Sequence, residues 1–246
     1  MLVFSLVSCS FTHGEGPSVE KEYSVKDFSS VEVEGSFDVS IDQAASQKVV
    51  AVGQENILEQ LRLEVVDEVL HLSLEPGNYL NYELEVQVSV PELNAVVLSG
   101  SGDVRLGTFV GLNDLKVELE GSGDIETVGE SVIESKSNLH VILDGSGDVD
   151  LKCKAVNLRS ELEGSGDIDL EGIADHHHIE LDGSGDVNAY GLQAESAEVY
   201  LDGSGSIKVY AESNLKAELD GSGDISYKGE PTVNSSVDGY GNISAK

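Results

Sequence analysis

The stretch LDGSGDVNAYG, residues 181 to 191, sets two carboxylates, Asp182 and Asp186, on either side of a Gly-Ser-Gly. Aligned on the first glycine, its five-letter core opens at Gly100, Gly121, Gly145, Gly164, Gly183, Gly203 and Gly221, and a looser copy, GYGNI, opens at Gly239. The intervals are 21, 24, 19, 19, 20, 18 and 18 residues. A period this regular is the signature of stacked repeats, and it outranks any local reading.

Around the motif, apolar and polar residues alternate. Leu181 and Ile179 precede Gly183 by two and four residues, as Leu143 and Val141 precede Gly145. Val149 and Leu151 follow Gly145 at the same parity. Period 2 on both sides predicts strand, corner, strand, with those residues facing one core. The corner falls on paired glycines: Gly100 and Gly102, Gly121 and Gly123, Gly145 and Gly147, Gly164 and Gly166, Gly183 and Gly185, Gly203 and Gly205, Gly221 and Gly223. Glycine takes positive φ without a clash.

One such unit cannot bury its apolar face alone, whereas copies stacked in register can. The predicted architecture is an all-β, single-stranded parallel β-helix of about 20 residues per coil. Antiparallel hairpins would need a second turn signal in every repeat, and CKAV, EGIADH, GLQAES and YAESN share little. Eighteen-residue coils would suit a left-handed helix, but the scatter of intervals suits irregular right-handed coils better. The stretch VEVEGSFDVSI, around Gly35-Ser36-Phe37-Asp38, enters the same scheme 65 residues before the next motif. Between them lie a short helix candidate, QENILEQL, and alternating strands such as YELEVQVSV. The expected organisation is a partial signal and tether over 1–22 and one β-helix domain over 23–246. In that domain, residues 23–95 form an elaborated N-terminal β-rich cap and 96–246 form the repeat coils. The last motif reaches Lys246 without a visible cap, so a homo-oligomer through that coil is expected to cover the open strand edge.

Forty-six acids against fourteen bases give a net charge of −32. That charge repels nucleic acid and anionic membrane, and nucleic-acid binding is dropped. Disorder is opposed by 39% hydrophobic residues in regular alternation. Of the two cysteines, Cys153 stands alone in LKCKAV and reads as a small, half-buried residue. Cys9 ends the apolar run MLVFSLVSCS, and Leu6-Val7-Ser8-Cys9 resembles a lipoprotein box. The run is too short for a full signal peptide and has no basic start, so the true start is expected upstream. Cys9 is the candidate lipid anchor, and that anchor is the expected contact with membrane. The following SFTHGEGPSVEKE has the composition of a tether.

The motif also makes two acidic ladders. Before the corner come Glu120, Asp144, Glu163, Asp182, Asp202, Asp220 and Asp238; after it come Asp103, Asp124, Asp148, Asp167, Asp186 and Asp224, broken by Ser206 and Asn242. Stacked at about 4.8 Å, neighbouring carboxylates repel by about 0.9 kcal/mol in bulk water and about 3.5 at an effective dielectric near 20. The favoured reading is that each aspartate accepts bonds from backbone N–H groups of its own corner. The other reading is weak calcium sites at Asp124, Asp148, Asp167, Asp186 and Asp224, since stacked oxygens suit that ion. The EF-hand, calcium β-roll and phosphate-loop patterns all fail on spacing. In DHHHIE, residues 175 to 180, His177 falls inward and His176 and His178 outward, so the three cannot converge on one metal. Tyr190 and Tyr210, each seven residues past its glycine, are expected to stack as an outward aromatic strip.

The run PELNAVVLSGSGDV and the serial GSGD[VI] motifs resemble the bacterial family called putative auto-transporter adhesin, head GIN domain, over roughly residues 25 to 243. The resemblance implies a right-handed, pectin-lyase-like β-helix, exported from Bacteroides-type bacteria, with a role in adhesion. It carries over no catalytic residues. The expected protein is therefore a non-catalytic, cofactor-free outer-membrane lipoprotein that offers a rigid acidic surface to a glycan or protein. The alternative is a polysaccharide-active enzyme with paired aspartates on adjacent coils as acid and base. Against it, catalytic sites interrupt repeats, and this repeat is kept.

Overall fold

A computed structural model describes residues 11–246, so Cys9 and the apolar start lie outside the described residues. Six long strands carry the repeat: Phe109–Gly121, Ile133–Gly145, Val149–Gly164, Ile168–Gly183, Asp186–Gly203 and Ser206–Gly221. Each pairs in parallel with the next. The chain is all-β, with 72% strand and 2% helix, wound as a parallel β-solenoid of about 8 turns and roughly 20 residues per coil.

The register follows from the alternation. Leu119, Leu143, Leu162, Leu181, Leu201 and Leu219 stack as one inward column, directly paired coil to coil. All are at most 2% exposed. Burying each such side chain contributes about 1.5–3 kcal/mol, so sliding one coil by a residue would turn its whole column to water. One contiguous core runs from Phe28 to Ile225. Cys153 is fully buried in it rather than half-buried, and burial pushes its thiol up to about 12.

Gly183 and Gly185 show why the corner needs glycine twice, for different reasons. Gly183 has φ +149°, where a side chain is strained. Gly185 has no such φ, but a Cβ there would lie 1.9 Å from the carbonyl oxygen of Gly166 on the preceding coil. Close stacking of the corners thus excludes any side chain at the second position.

The N-terminal part departs from simple winding. The first coil, Ser30–Gly35 and Asp38–Gln43, lies in parallel beneath Ala95–Gly100 and Val104–Leu106. On its other side it pairs in parallel with Val69–Leu74 and Leu84–Val90. Residues between the first two motifs therefore pass under the first coil, and chain order is not spatial order there. Antiparallel strands close this end: Leu61–Val66 against Val69–Leu74, and Lys48–Gln54 between Leu84–Val90 and Ser18–Tyr23. The predicted helix shrinks to Glu55–Leu58, with Ile57 and Leu58 buried as a plug. The expected tether is partly strand. Phe11–His13 pairs with Asn78–Leu80, and Ser18–Tyr23 joins the antiparallel cap. At the other end, Thr232–Gly239 is exposed along its whole length.

Candidate functional site

The two acidic ladders sit in different chemical surroundings. After the corner, each aspartate Oδ1 accepts the backbone N–H of the equivalent residue on the next coil. The Asp124 N–H bonds Asp103, Asp148 bonds Asp124, Asp167 bonds Asp148, and Asp186 bonds Asp167, at 2.9–3.3 Å. Asp38 begins the series and Asp224 closes it on Asn242. The own-corner bonding expected for these residues is thus replaced by bonding between coils. The break confirms the pattern. Ser206 donates its N–H to Asp186, but it offers no carboxylate onward, so the Asp224 N–H turns to the Gly205 carbonyl at 3.3 Å. Asp124, Asp148, Asp167, Asp186 and Asp224, the calcium candidates, each have one oxygen engaged in this way. Among the described residues no group of three His, Cys, Asp or Glu side chains is placed to hold a metal ion.

Before the corner, Glu163, Asp182, Asp202, Asp220 and Asp238 have no backbone N–H partner among the described residues. With Glu161, Glu180, Tyr200 and Glu218 they line an outward groove of about 520 Å³. A third outward column runs beside it. Lys116, His140, Arg159, His178, Glu198 and Lys216 are paired coil to coil. Its basic side chains face the acids of the middle column. Lys116 meets Glu118, Arg159 meets Glu161 and Glu180, His178 meets Glu180 at 2.7 Å, and Lys216 meets Glu218 at 2.9 Å. His140 Nε2 lies 3.1 Å from Glu161, an ion-pair contact without hydrogen-bond geometry. Partial burial pushes the Glu161 carboxyl up, but the Arg159 and His140 contacts outweigh it and hold the carboxyl below its ordinary value. Lys216 also lies over the Tyr200 ring, 4.6 Å from its centroid. The wall therefore carries a mainly basic column broken by Glu198, a middle column paired with it, and an acidic column without backbone donors.

On the opposite side of the corner, Asp150 stacks between Glu126 and Asp169. Partial burial, then Asp169, Glu171 and Glu126, push its carboxyl up, while Lys152 opposes them. His176, His177 and His178 take the predicted directions. His177 is 2% exposed and its Nε2 meets the buried Ser160 hydroxyl at 2.9 Å, leaving Nδ1 without a partner. Burial, with a smaller contribution from His178, pushes its pKa down to about 3. His176 meets Ser196 and His178 meets Glu180. The predicted Tyr190–Tyr210 strip is not formed. A register shift after Ala189 sets Tyr210 beside Gln193. Tyr190 instead reaches Ser226 at 2.7 Å, under the ammonium of Lys228.

This mainly basic column, Glu198 apart, was missed in reading the sequence. Its signal is plain once the register is known: each member lies five residues before a motif glycine.

The GSGD corners and stacked outer columns define a repeat-built β-solenoid, and comparison with known proteins gives its family. The chain belongs to the family described as putative auto-transporter adhesin, head GIN domain, whose model matches residues 27–131 and 125–231. That description implies an exported, cell-surface protein that binds surface molecules. The chain is similar to a crystal structure named putative lipid binding protein from Parabacteroides distasonis, at 27% identity and TM-score 0.88, covering 96% of this chain and all of that one. It is also similar to a putative adhesin from Bacteroides fragilis, at 25% identity and TM-score 0.70, with the same coverage. No curated protein matches. Among the described residues no helix is long and apolar enough to cross a membrane.

Proposed function

We propose that the chain is a non-catalytic adhesin of the cell envelope, held by a lipid on Cys9, and that its bare anionic column docks a cationic segment of a surface partner. The observation that carries this reading is the contrast between the ladders. The post-corner aspartates each give one oxygen to the next coil, while Glu163, Asp182, Asp202, Asp220 and Asp238 line a groove and accept no backbone N–H among the described residues. Stacked bare charges cost stability, and a rigid column of them favours the on-rate and orientation of a cationic partner. The family description supports a binding role.

The test is adhesion of protein-coated beads to cultured epithelial cells. Glu163→Gln, Asp182→Asn, Asp202→Asn and Asp220→Asn together should abolish most adhesion and its dependence on salt. Equal adhesion by the variant would remove the wall from the account. For the anchor, a gene begun at an upstream start codon should label with palmitate, and Cys9→Ser should abolish the label.

A further inference from the structure

A pair of tyrosines in contact lies at the other end of the molecule, in the N-terminal cap. Tyr79 and Tyr82 meet edge to face, with centroids 5.9 Å apart and planes at 65°. Both are half-buried, and both hydroxyls are tied back. Tyr79 donates to the Glu75 carbonyl at 2.6 Å, and Tyr82 bonds Ser36 through its hydroxyl at 3.0 Å and its carbonyl at 3.2 Å. The rings are thereby fixed before any ligand arrives, which lowers the entropy cost of binding. Between them Asn81 holds φ +51°, in the left-handed region, and Leu80 and Asn81 are exposed.

Two clefts meet at Tyr79, and the larger one also takes in Tyr82. One, about 580 Å³, is lined by Ser18, Asp38, Leu80, Asn81, Glu83 and Glu85 around the two rings. The other, about 380 Å³, shares Ser36 and Tyr79 with it and runs to Arg62 and Glu75. Both volumes fall in the range of small-ligand sites. Both rings pack partly on the core but line the cleft, and polarised C–H groups of a pyranose stack on such aromatic walls. Carboxylates and an amide at the rim suit hydroxyl donors. The cations here are already paired, Arg62 with Glu75 and Arg105 with Asp38. An anionic sugar would therefore meet Glu83 and Glu85, and the described residues lining that cleft include no Lys or Arg to offset them. A lipid tail would need a closed apolar channel, and Glu83, Glu85 and Asn81 are exposed at this rim.

We infer that the Tyr79–Tyr82 cleft of the cap is a binding site for a neutral hexose oligosaccharide. The inference rests on the adhesive reading of the chain but uses a different face from the acidic wall. The wall and the cleft therefore fail separately: neutralising the wall should leave sugar binding unchanged.

The test uses neutral manno-, gluco- and galacto-oligosaccharides at millimolar concentration, read by saturation-transfer NMR and calorimetry. At least one should bind, Tyr82→Ala should weaken it tenfold or more, and Tyr190→Ala, on the distant coils, should change nothing. Polygalacturonate should not compete. If Tyr82→Ala loses its strand signal in circular dichroism, Leu80→Glu decides instead, because Leu80 is already 44% exposed in the cleft wall. The inference is overturned if no neutral sugar binds, or if binding survives in a folded cleft variant. It is equally overturned if a fluorescent fatty acid occupies the cleft in a Tyr82-dependent way.

Discussion

Asp167 and Asp182 offer a direct test of the two ladders. Each stands between two stacked acids, Asp148 and Asp186 for the first, Glu163 and Asp202 for the second. Each therefore carries the same repulsion, about 0.9 kcal/mol per neighbour at 4.8 Å in bulk water, or about 1.7 in all. They differ in one bond, the Asp186 N–H to Asp167 Oδ1 at 2.9 Å. A hydrogen bond to a charged group contributes about 1.5–3 kcal/mol net. Truncating Asp182 relieves repulsion and loses nothing, so Asp182→Ala should stabilise by up to about 2 kcal/mol. Truncating Asp167 relieves the same repulsion but strands a backbone donor, so Asp167→Ala should lie between neutral and about 1 kcal/mol destabilising. The contrast, about 1.5–3 kcal/mol, is the inter-coil bond itself. Urea unfolding followed by circular dichroism measures both, and the midpoint shifts at constant slope give the difference. In about 1 M salt, where the screening length is near 3 Å, the Asp182 gain should fade while the contrast remains. A contrast below about 0.5 kcal/mol, the scatter of ordinary surface changes, would refute the inter-coil reading.

Three further outcomes are expected. His177 has a folded pKa depressed to about 3, so its stabilising contribution is full above its unfolded value near 6.5 and is lost as pH falls toward 3. The stability gap between wild type and Ser160→Val/His177→Leu should shift toward the variant by about 2.5 kcal/mol between neutral pH and about pH 4.5, read from paired urea melts. Gly185→Ala, whose Cβ would sit 1.9 Å from a carbonyl oxygen, should cost more than about 2 kcal/mol. Gly191→Ala, where the nearest atom is on the flexible Glu171 side chain at 3.0 Å, should be tolerated when both variants are compared by thermal melting. Calcium should move the melting temperature little relative to chelator, since the Asp124–Asp224 ladder already accepts backbone N–H groups; an array of cation sites would add about 1–3 kcal/mol by mass action.

Much of the repeat region was legible because inward residues recur at fixed distance from each glycine. Leu181, Ile179, Val187 and His177 all fall where parity puts them, and all are buried. What failed is whatever depends on the neighbouring coil. Asp167 looks as though it serves its own corner, and nothing within five residues says that its partner is the N–H of Asp186, nineteen residues on. Tyr190 and Tyr210 share a distance from their glycines, but three residues, Tyr190 to Leu192, have no partner in the register with the next strand, so counting past that point misplaces them. The antiparallel base escaped for a third reason. Strands such as Leu84–Val90 alternate as the coils do, and periodicity carries no sign of strand direction.

That base also sets the order in which the molecule can assemble. Asp38 meets the Asp103 N–H across 65 residues, whereas later coils meet the one before across 18 to 24. Closing the longer loop costs about 1 kcal/mol more in chain entropy. The base must also gather strands from Ser18 to Leu106 before its first coil has neighbours on both sides. Once it exists, each new coil docks on a finished template and repeats the same short closure. Folding should therefore have one slow nucleating step at the base, followed by fast growth toward Lys246. Deleting the terminal coil, from Thr232 onward, should leave the folding rate nearly unchanged, whereas Leu72→Ala in the base should slow it.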